Sequence, residues 1–324
     1  MNRRCFLLAA ACVAATAGLT GPVLGQGYPA RPVTLVVPFA PGGGTDLLAR
    51  LVSNKLETAL GTPVVVDNRP GASGAVAGAY VKTQAADGYT LLFGTSSTNA
   101  ISPVLHEDKM GDMLTGLDPV SMVANSALIL VVPASSPITD LKGYVDASKA
   151  RPLTYGTFGV GSTPHLLGTL LASRSGAETI HVPYKGSAPA VADVTGGHID
   201  SAFLTVTALT ASLDDGAMRG LAVAAPERLS QFPDIPTFAE EGYEDLDDAG
   251  WFGIFAPSGV PAEIRTQVSK AIQTVLDQPE AQEEFAKLGV TAQGSSPEEL
   301  EKKRDASVAL VRHILATTNI DISE

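Results

Sequence analysis

The sequence predicts an α/β fold in two domains that face each other across a cleft. Three observations carry this. From Val33 onward, short apolar strands alternate with amphipathic helices, the pattern of helices packed on largely parallel sheets. The same opening of strand, glycine turn and helix occurs twice, once after VTLVVP and once after LTYGTF. At 324 residues the chain is long enough for two cores.

Taken in order, VTLVVP leads through PGGGTD into a helix over 46–60, with Leu47, Leu48, Leu51, Val52, Leu56 and Leu60 at helical spacing and Gly61 as its stop. Strand PVVVDN, the turn NRPGASG and the small-residue helix AVAGAYVKTQ follow, and Asp87-Gly88 turns the chain into strand YTLLFGTSS. A second unit starts near Asn125 with strand ALILVVP and a helix over 139–149. Then come LTYGTF, the turn GVGSTPH with its helix, and strands ETIHVPYKG, IDSAFLTV and MRGLAVAA. WFGIFAPSGVP reads as a strand returning to the first unit. Three helices close the chain. Pro261 opens the first, with Ile264, Val268, Ile272 and Val275 on one face; Gly289 ends the second; Ser296-Pro297-Glu298-Glu299 is a capping box for the third. The expected division is an export signal at 1–25, a first domain of 28–125 plus 250–324, and a second of 126–249.

The first 25 residues stand apart. Arg3 and Arg4 precede an apolar stretch and then small residues up to Gly25-Gln26, which reads as a secretory signal, with a weak twin-arginine character. Continuation of the apolar run past Cys12 disfavours a lipoprotein reading. Removing the segment takes away two arginines and no acid, so the formal charge moves from -12 to -14, and both cysteines, Cys5 and Cys12, go with it. An exported chain of this kind has no thiol chemistry. No later stretch reaches the ~18 apolar residues of a membrane span. The acidic balance offers no footprint for nucleic acid or an anionic membrane. An anionic ligand must therefore be held by local dipoles against the overall field.

The two glycine turns supply such dipoles. A helix N-terminus carries about half a positive charge and several unpaired N–H groups. Gly43 and Gly44 let a ligand oxygen approach backbone without meeting a Cβ, while Thr45 or Asp46 is placed to cap the helix. Gly161, Ser162, Thr163 and His165 repeat the arrangement in the second unit. Two or three charge-assisted hydrogen bonds at ~1.5–3 kcal/mol each, with the helix dipole adding ~0.3–2 kcal/mol, are expected to sustain micromolar binding. Turns that merely pack are the alternative, weakened by the repetition of the design. Other glycine motifs fail: no Gly-Lys-Ser/Thr follows the first turn, GTFGVG has the wrong order for a dinucleotide fingerprint, and Val160 and Pro164 flank Ser162 where a hydrolase elbow needs glycine. His106, His165, His181, His198 and His313 show no metal-binding spacing, and Glu244 to Asp248 lack the order of a calcium loop. No metal or cofactor is expected. Arg69 is expected to be a turn residue held by backbone carbonyls. Lys185, at a strand end, stands evenly between lining a pocket and a structural role, and Trp251 is expected to pack at a hinge.

Together these motifs resemble the substrate-binding proteins of tripartite tricarboxylate transporters, the Bug family. The likeness runs from YPARPVTLVVPFAPGGGTDLLAR to the SSPEEL helix, with VVVDNRPGASG, ADGYTLLFG, YGTFGVGSTPHLLG, HVPYKGSAPAVADVTGGHID, LAVAAPER, IPTFAEEGY and WFGIFAPSGVP between them in order. The resemblance implies a two-domain periplasmic-binding-protein architecture with a double hinge crossing, which closes on a small carboxylate without chemistry. Its implied partners are that carboxylate and integral-membrane transporter subunits, the binding protein itself being monomeric and located in the periplasm. A carboxylate sensor that docks a signalling receptor is the alternative. The family pattern implies that the loop from Phe39 to Asp46 and the turn from Gly161 to His165 hold one carboxylate, with Thr95, Ser97, Asn99, Tyr184, Lys185 and Gly186 lining the pocket. One departure stands out. After IDSAF many relatives carry Phe-Asp, whereas this chain has Phe203, Leu204 and Thr205. With Leu204 in place of an acid, the expected ligand is an acid without an amino group.

Overall fold

The computed structural model describes residues 27–247, 250–318 and 322. The signal-like segment, both cysteines and Asp248 lie outside the described residues. Two mixed sheets form the framework, each covered by helices. The first runs β11-β4-β10-β3-β1-β2 and is built from β1 (Val33–Val37), β2 (Val64–Asn68), β3 (Thr90–Thr95), β4 (Leu117–Ser126), β10 (Gly250–Pro257) and β11 (Val290–Ala292). The second runs β7-β6-β8-β5-β9, from β5 (Leu128–Pro133), β6 (Leu153–Thr157), β7 (Thr179–Pro183), β8 (Ser201–Thr205) and β9 (Met218–Ala224).

The sheets are less parallel than the sequence pattern suggests. β1 pairs in parallel with β2 and β3, and β6 with β7 and β8. β10, however, lies antiparallel between β3 and β4, and β5 lies antiparallel between β8 and β9. The reason is the route of the chain. Parallel neighbours need a crossover connection, and β5 and β10 arrive directly from the other lobe. Only Ala127 separates β4 from β5, and Gly250, where the chain returns, pairs with Ser126. The two crossings therefore run side by side. Every residue of β5, β8 and β10 is buried, as befits strands covered on both faces.

Local signals in the sequence are realised closely. Helix α1 (Gly44–Leu60) buries Leu48, Val52 and Leu56 but leaves Leu47 40% exposed, so its apolar stripe is narrower than the leucine count implies. Gly61 ends it in the left-handed conformation, φ 67°, with its N–H donating to the Glu57 carbonyl. Helix α2 (Ala75–Lys82) follows a short 3-10 turn, Ala72–Gly74. Between β3 and β4 the chain makes a π turn, Ser97–Ile101, and three single-turn helices, α3 (Ser102–Leu105), α4 (Glu107–Met110) and α5 (Met113–Gly116), none of which the periodicity reveals. The second lobe adds α6 (Leu141–Ala150), α7 (Thr163–Ser175), α8 (Ser187–Thr195) and α9 (Val206–Asp214). Helices α10 (Ala262–Leu276), α11 (Pro279–Lys287) and α12 (Pro297–Thr317) return to the first sheet. The Ser296–Glu299 capping box is formed in both directions. Among the described residues no helix is long and apolar enough to cross a membrane.

Candidate functional site

The N-termini of α1 and α7 approach the same cleft from opposite lobes. Between them is a narrow throat lined by seven hydroxyl-bearing residues, Thr45, Thr95, Ser96, Ser97, Ser126, Thr163 and Thr205. Leu128, Phe158, Gly250, Trp251 and Phe252 complete its wall. Among the described residues no charged side chain lines it. Its free volume is about 20 Å³, the room of roughly one water. The lobes touch here through hydroxyls: Ser97 Oγ lies 2.8 Å and Ser96 Oγ 3.1 Å from Thr163 Oγ1, and the Thr163 N–H donates to Ser97 Oγ at 2.9 Å. The Ser102 hydroxyl donates to the Gly161 carbonyl at 2.9 Å, and that of Ser73 to the Val160 carbonyl. The Ala40 N–H donates to the Lys185 carbonyl at 3.0 Å. No ion pair joins the lobes among the described residues.

Outside the throat, and sharing Phe158 with it, is a larger chamber of about 430 Å³. The first lobe contributes Phe39, Ala72, Ser73, His106, Lys109 and Met110, and the second Phe158, Val160, Tyr184 and Lys185. Phe39 and Phe158 meet edge to face across the cleft, with centroids 5.2 Å apart. Ala72 and Ser73 hold left-handed backbone conformations, φ 45° and 50°, unusual for residues with a Cβ.

Of the residues expected at the site, Thr45, Thr95, Ser97, Thr163 and Thr205 line the throat, and Phe39, Tyr184 and Lys185 line the chamber. The others act behind these walls. Asp46 does not cap α1; Gly43 is the N-cap and no side chain bonds there. Its buried carboxylate instead accepts from the Gly42 N–H at 2.9 Å, Arg50 Nε at 3.0 Å and Asn68 Nδ2 at 2.9 Å, which fixes the turn. Burial opposes its charge, but these donors outweigh it and hold the carboxyl below the usual range. His165 likewise braces its own turn. Its Nδ1 accepts the Gly161 N–H at 3.0 Å and its ring stacks on His181 at 3.8 Å. Burial first, then His181 and His106, lower its pKa to about 3, so the ring is neutral. Ser162 turns inward and donates to the Gly159 carbonyl at 2.6 Å. Asn99 is buried and accepts from Thr98 Oγ1 at 2.6 Å within the π turn, lining neither cavity.

Three expectations are revised by the contacts observed. Leu204 is fully buried, opposite Ile129 in the sheet, and reaches neither cavity; Thr205, one residue on, is the one that does. Gly43 does not require glycine, since its φ is -83° and a Cβ would come no closer than 3.4 Å to any atom beyond its chain neighbours. Gly44 does: a Cβ there would lie 2.7 Å from Thr205 Oγ1, 3.0 Å from Thr207 Cβ and 3.2 Å from the Ala208 nitrogen. The constraint comes from the opposing helix α9. Gly186 is similar, its φ of 152° and a 3.1 Å approach of Ala40 leaving no room for a side chain. Arg69 is held by Asp67 at 2.7 Å and by the Tyr80 ring at 3.4 Å, not by backbone carbonyls. Trp251 sits on β10 beside the crossing strands, its indole N–H donating to Ser307 Oγ at 3.0 Å, and it also lines the throat.

Sequence reasoning missed Ser96, Ser126, Phe158, His106 and Lys109. Ser96 adjoins an expected residue and Phe158 directly precedes the second glycine turn, so both were within reach; Ser126, His106 and Lys109 belong to no glycine turn. The hydroxyl of Thr205 is buried and has no hydrogen-bond partner among the described residues, so a polar group is aimed at the throat with no described protein group bound to it.

A hydroxyl-lined throat between two helix N-termini of opposite lobes suits an anion held without a salt bridge. Residues 48–319 match the TctC family, described as the tripartite tricarboxylate transporter family receptor. The chain belongs to that family. BugT of Bordetella pertussis is 37% identical over 302 residues, 92% of this chain and 93% of its own length. Among solved structures, an R. palustris protein with adipate is 34% identical at a TM-score of 0.87, covering 90% of this chain and 99% of its own. MatC from Rhodopseudomonas palustris with bound malate is 28% identical at 0.84, covering 89% of this chain and all of its own. TctC receptors of this kind are periplasmic solute-binding proteins, and the two-lobed fold of this chain is theirs.

Proposed function

We propose that this TctC protein is exported to the periplasm, captures a small carboxylate between its lobes without altering it, and presents it to the membrane subunits of a tripartite tricarboxylate-type transporter. The lobes would be 28–125 with 250–324, and 126–249. The observation that carries the reading is the throat itself. Seven hydroxyl-bearing residues and the first turns of α1 and α7 converge there, with no charged side chain among the described residues. Hydroxyls and N–H dipoles supply a carboxylate with donors at low desolvation cost. Throat space of about 20 Å³ is too small for a carboxylate, so binding requires the Ser97–Thr163 contact to give way, and the remainder of the ligand extends into the chamber. That relatives were solved with adipate and malate supports the same class of ligand.

Thermal unfolding against a panel of mono-, di- and hydroxycarboxylates tests this. A ligand at 100 times its Kd adds about 2.7 kcal/mol by mass action, a shift of several degrees. A chain unmoved by every acid of the panel is not a carboxylate receptor. None of the described residues lining throat or chamber is acidic, so a buried ammonium would find no carboxylate among them. Succinate and glutarate are therefore expected to outbind aspartate and glutamate.

A further inference from the structure

The seam between the lobes is built differently on its two sides. Beside α7 the facing polar groups are paired, Ser97 with Thr163, Ser102 with the Gly161 carbonyl, Ser73 with the Val160 carbonyl and Ala40 with the Lys185 carbonyl. Around the first turn of α9 they are not. Thr207 Oγ1 and Gln231 Oε1 are buried there without a hydrogen-bond partner among the described residues, as is Thr205 Oγ1. The first lobe meets this surface with two glycines. A Cβ at Gly44 would lie 3.0 Å from Thr207 Cβ. One at Gly289, in the turn after α11, would lie 3.0 Å from Gln231 Oε1 and 2.6 Å from Val206 Cγ2. The Gln231 amide does reach across the seam, but its Nε2 stands 3.5 Å from the Lys287 carbonyl, longer than an ordinary bond of this kind.

A polar group that loses its water on burial and finds no partner opposes the step that buries it. We infer that Thr207 and Gln231 set the affinity of this receptor from outside the ligand site, by opposing closure and so holding the empty protein open. This rests on the carboxylate-receptor reading above. When the lobes part, both groups meet solvent; when they close, the backbone at Gly44 and Gly289 covers them. Thr205 differs, because it lines the throat, where a ligand oxygen becomes its partner. Thr207 and Gln231 line neither throat nor chamber, so a ligand there does not offset their desolvation. Their penalty applies to every closed form, liganded or empty. It lowers the apparent affinity by reducing the fraction of protein in the closed, binding-competent state.

Small-angle X-ray scattering on the unliganded wild type, Thr207→Val, Gln231→Leu and Thr207→Ser tests this, after dialysis to remove any copurified acid. Each chain is then titrated by calorimetry with the acid that raises the wild-type melting temperature most. Thr207→Val and Gln231→Leu keep most of the side-chain bulk and remove the unpaired oxygen. Each is expected to shrink the radius of gyration of the empty chain. Each should also tighten binding by about fivefold or more, the lower end of what one unsatisfied buried group costs. Thr207→Ser keeps the hydroxyl and is expected to match the wild type in both measurements. An empty wild type already as compact as its liganded form would overturn the inference. So would apolar variants that melt higher while radius and affinity stay fixed, because the two oxygens would then be buried within one lobe whether or not the cleft is closed. If no acid binds, the receptor reading falls, and the scattering comparison between the empty chains still upholds or overturns the opposition to closure.

Discussion

Ser97 and Thr163 close the cleft between them, one from each lobe, with hydroxyl oxygens 2.8 Å apart and the Thr163 N–H donating to Ser97 Oγ at 2.9 Å. The Thr163 N–H belongs to the first turn of α7 and has no partner within its own helix. Ser97 therefore supplies from the opposite lobe the acceptor that α7 lacks. The same N–H is the donor a ligand carboxylate would claim, so closing contact and ligand contact compete for one group.

Ser97→Ala leaves this N–H without that acceptor in a buried site, a loss of about 1–3 kcal/mol. Urea unfolding of the unliganded chain is expected to show a drop within that range. An unchanged midpoint would mean that the lobes are not held together through this pair.

Gly44 separates ligand contact from lobe contact. Alanine there would press against Thr205 and the backbone of α9 when the lobes are closed, with its Cβ 2.7 Å from Thr205 Oγ1. Gly44→Ala is expected to weaken carboxylate binding more than tenfold while Gly43→Ala, which meets nothing closer than 3.4 Å, leaves affinity within about twofold. Titration calorimetry on the two variants decides it; equal losses would return the requirement to the ligand side of the turn.

The Thr205 hydroxyl has no partner among the described residues, so its removal is expected to cost the fold nothing in hydrogen bonding. Thr205→Val keeps the shape and is expected to leave unfolding free energy level or slightly raised. Carboxylate affinity should nevertheless fall by roughly three- to tenfold, the worth of one hydrogen bond to a charged group. If stability drops and affinity holds, the hydroxyl serves the structure.

His165 makes stability depend on pH. Its ring is neutral in the fold with a pKa lowered from 6.5 to about 3, so the unfolded chain takes up a proton first as pH falls. The stability it confers is whole above 6.5 and declines as pH drops from there toward 3, by at most ~1.4 kcal/mol per pH unit. Urea unfolding at pH 7, 5.5 and 4.5 should show this slope, and His165→Gln should flatten it. These conditions stay above the ordinary aspartate value of 3.8, below which protonation of Asp46 adds a second loss, while Glu240 and Glu299, lowered from 4.5, weigh on both proteins alike. Parallel profiles for the two proteins would exclude His165 as the source.

Much of this protein was legible in its residues because the deciding interactions are local. The Ser296–Glu299 box, the left-handed stop at Gly61 and the glycine turns before α1 and α7 each depend on a few neighbours along the chain. Strand and helix periodicity similarly reports which side of one element is buried. What the chain could not announce is which of those residues face the cleft. Leu204 and Thr205 are adjacent, yet one is core and the other lines the throat, because neighbouring residues of a strand point to opposite faces and the strand ends there. Phe158, Ser126, Trp251 and Lys109 join the site from segments with no common motif. Their meeting depends on the antiparallel insertion of β5 and β10 and on how two lobes seat against each other. That seating is set by packing between residues far apart in the chain, which no local pattern encodes.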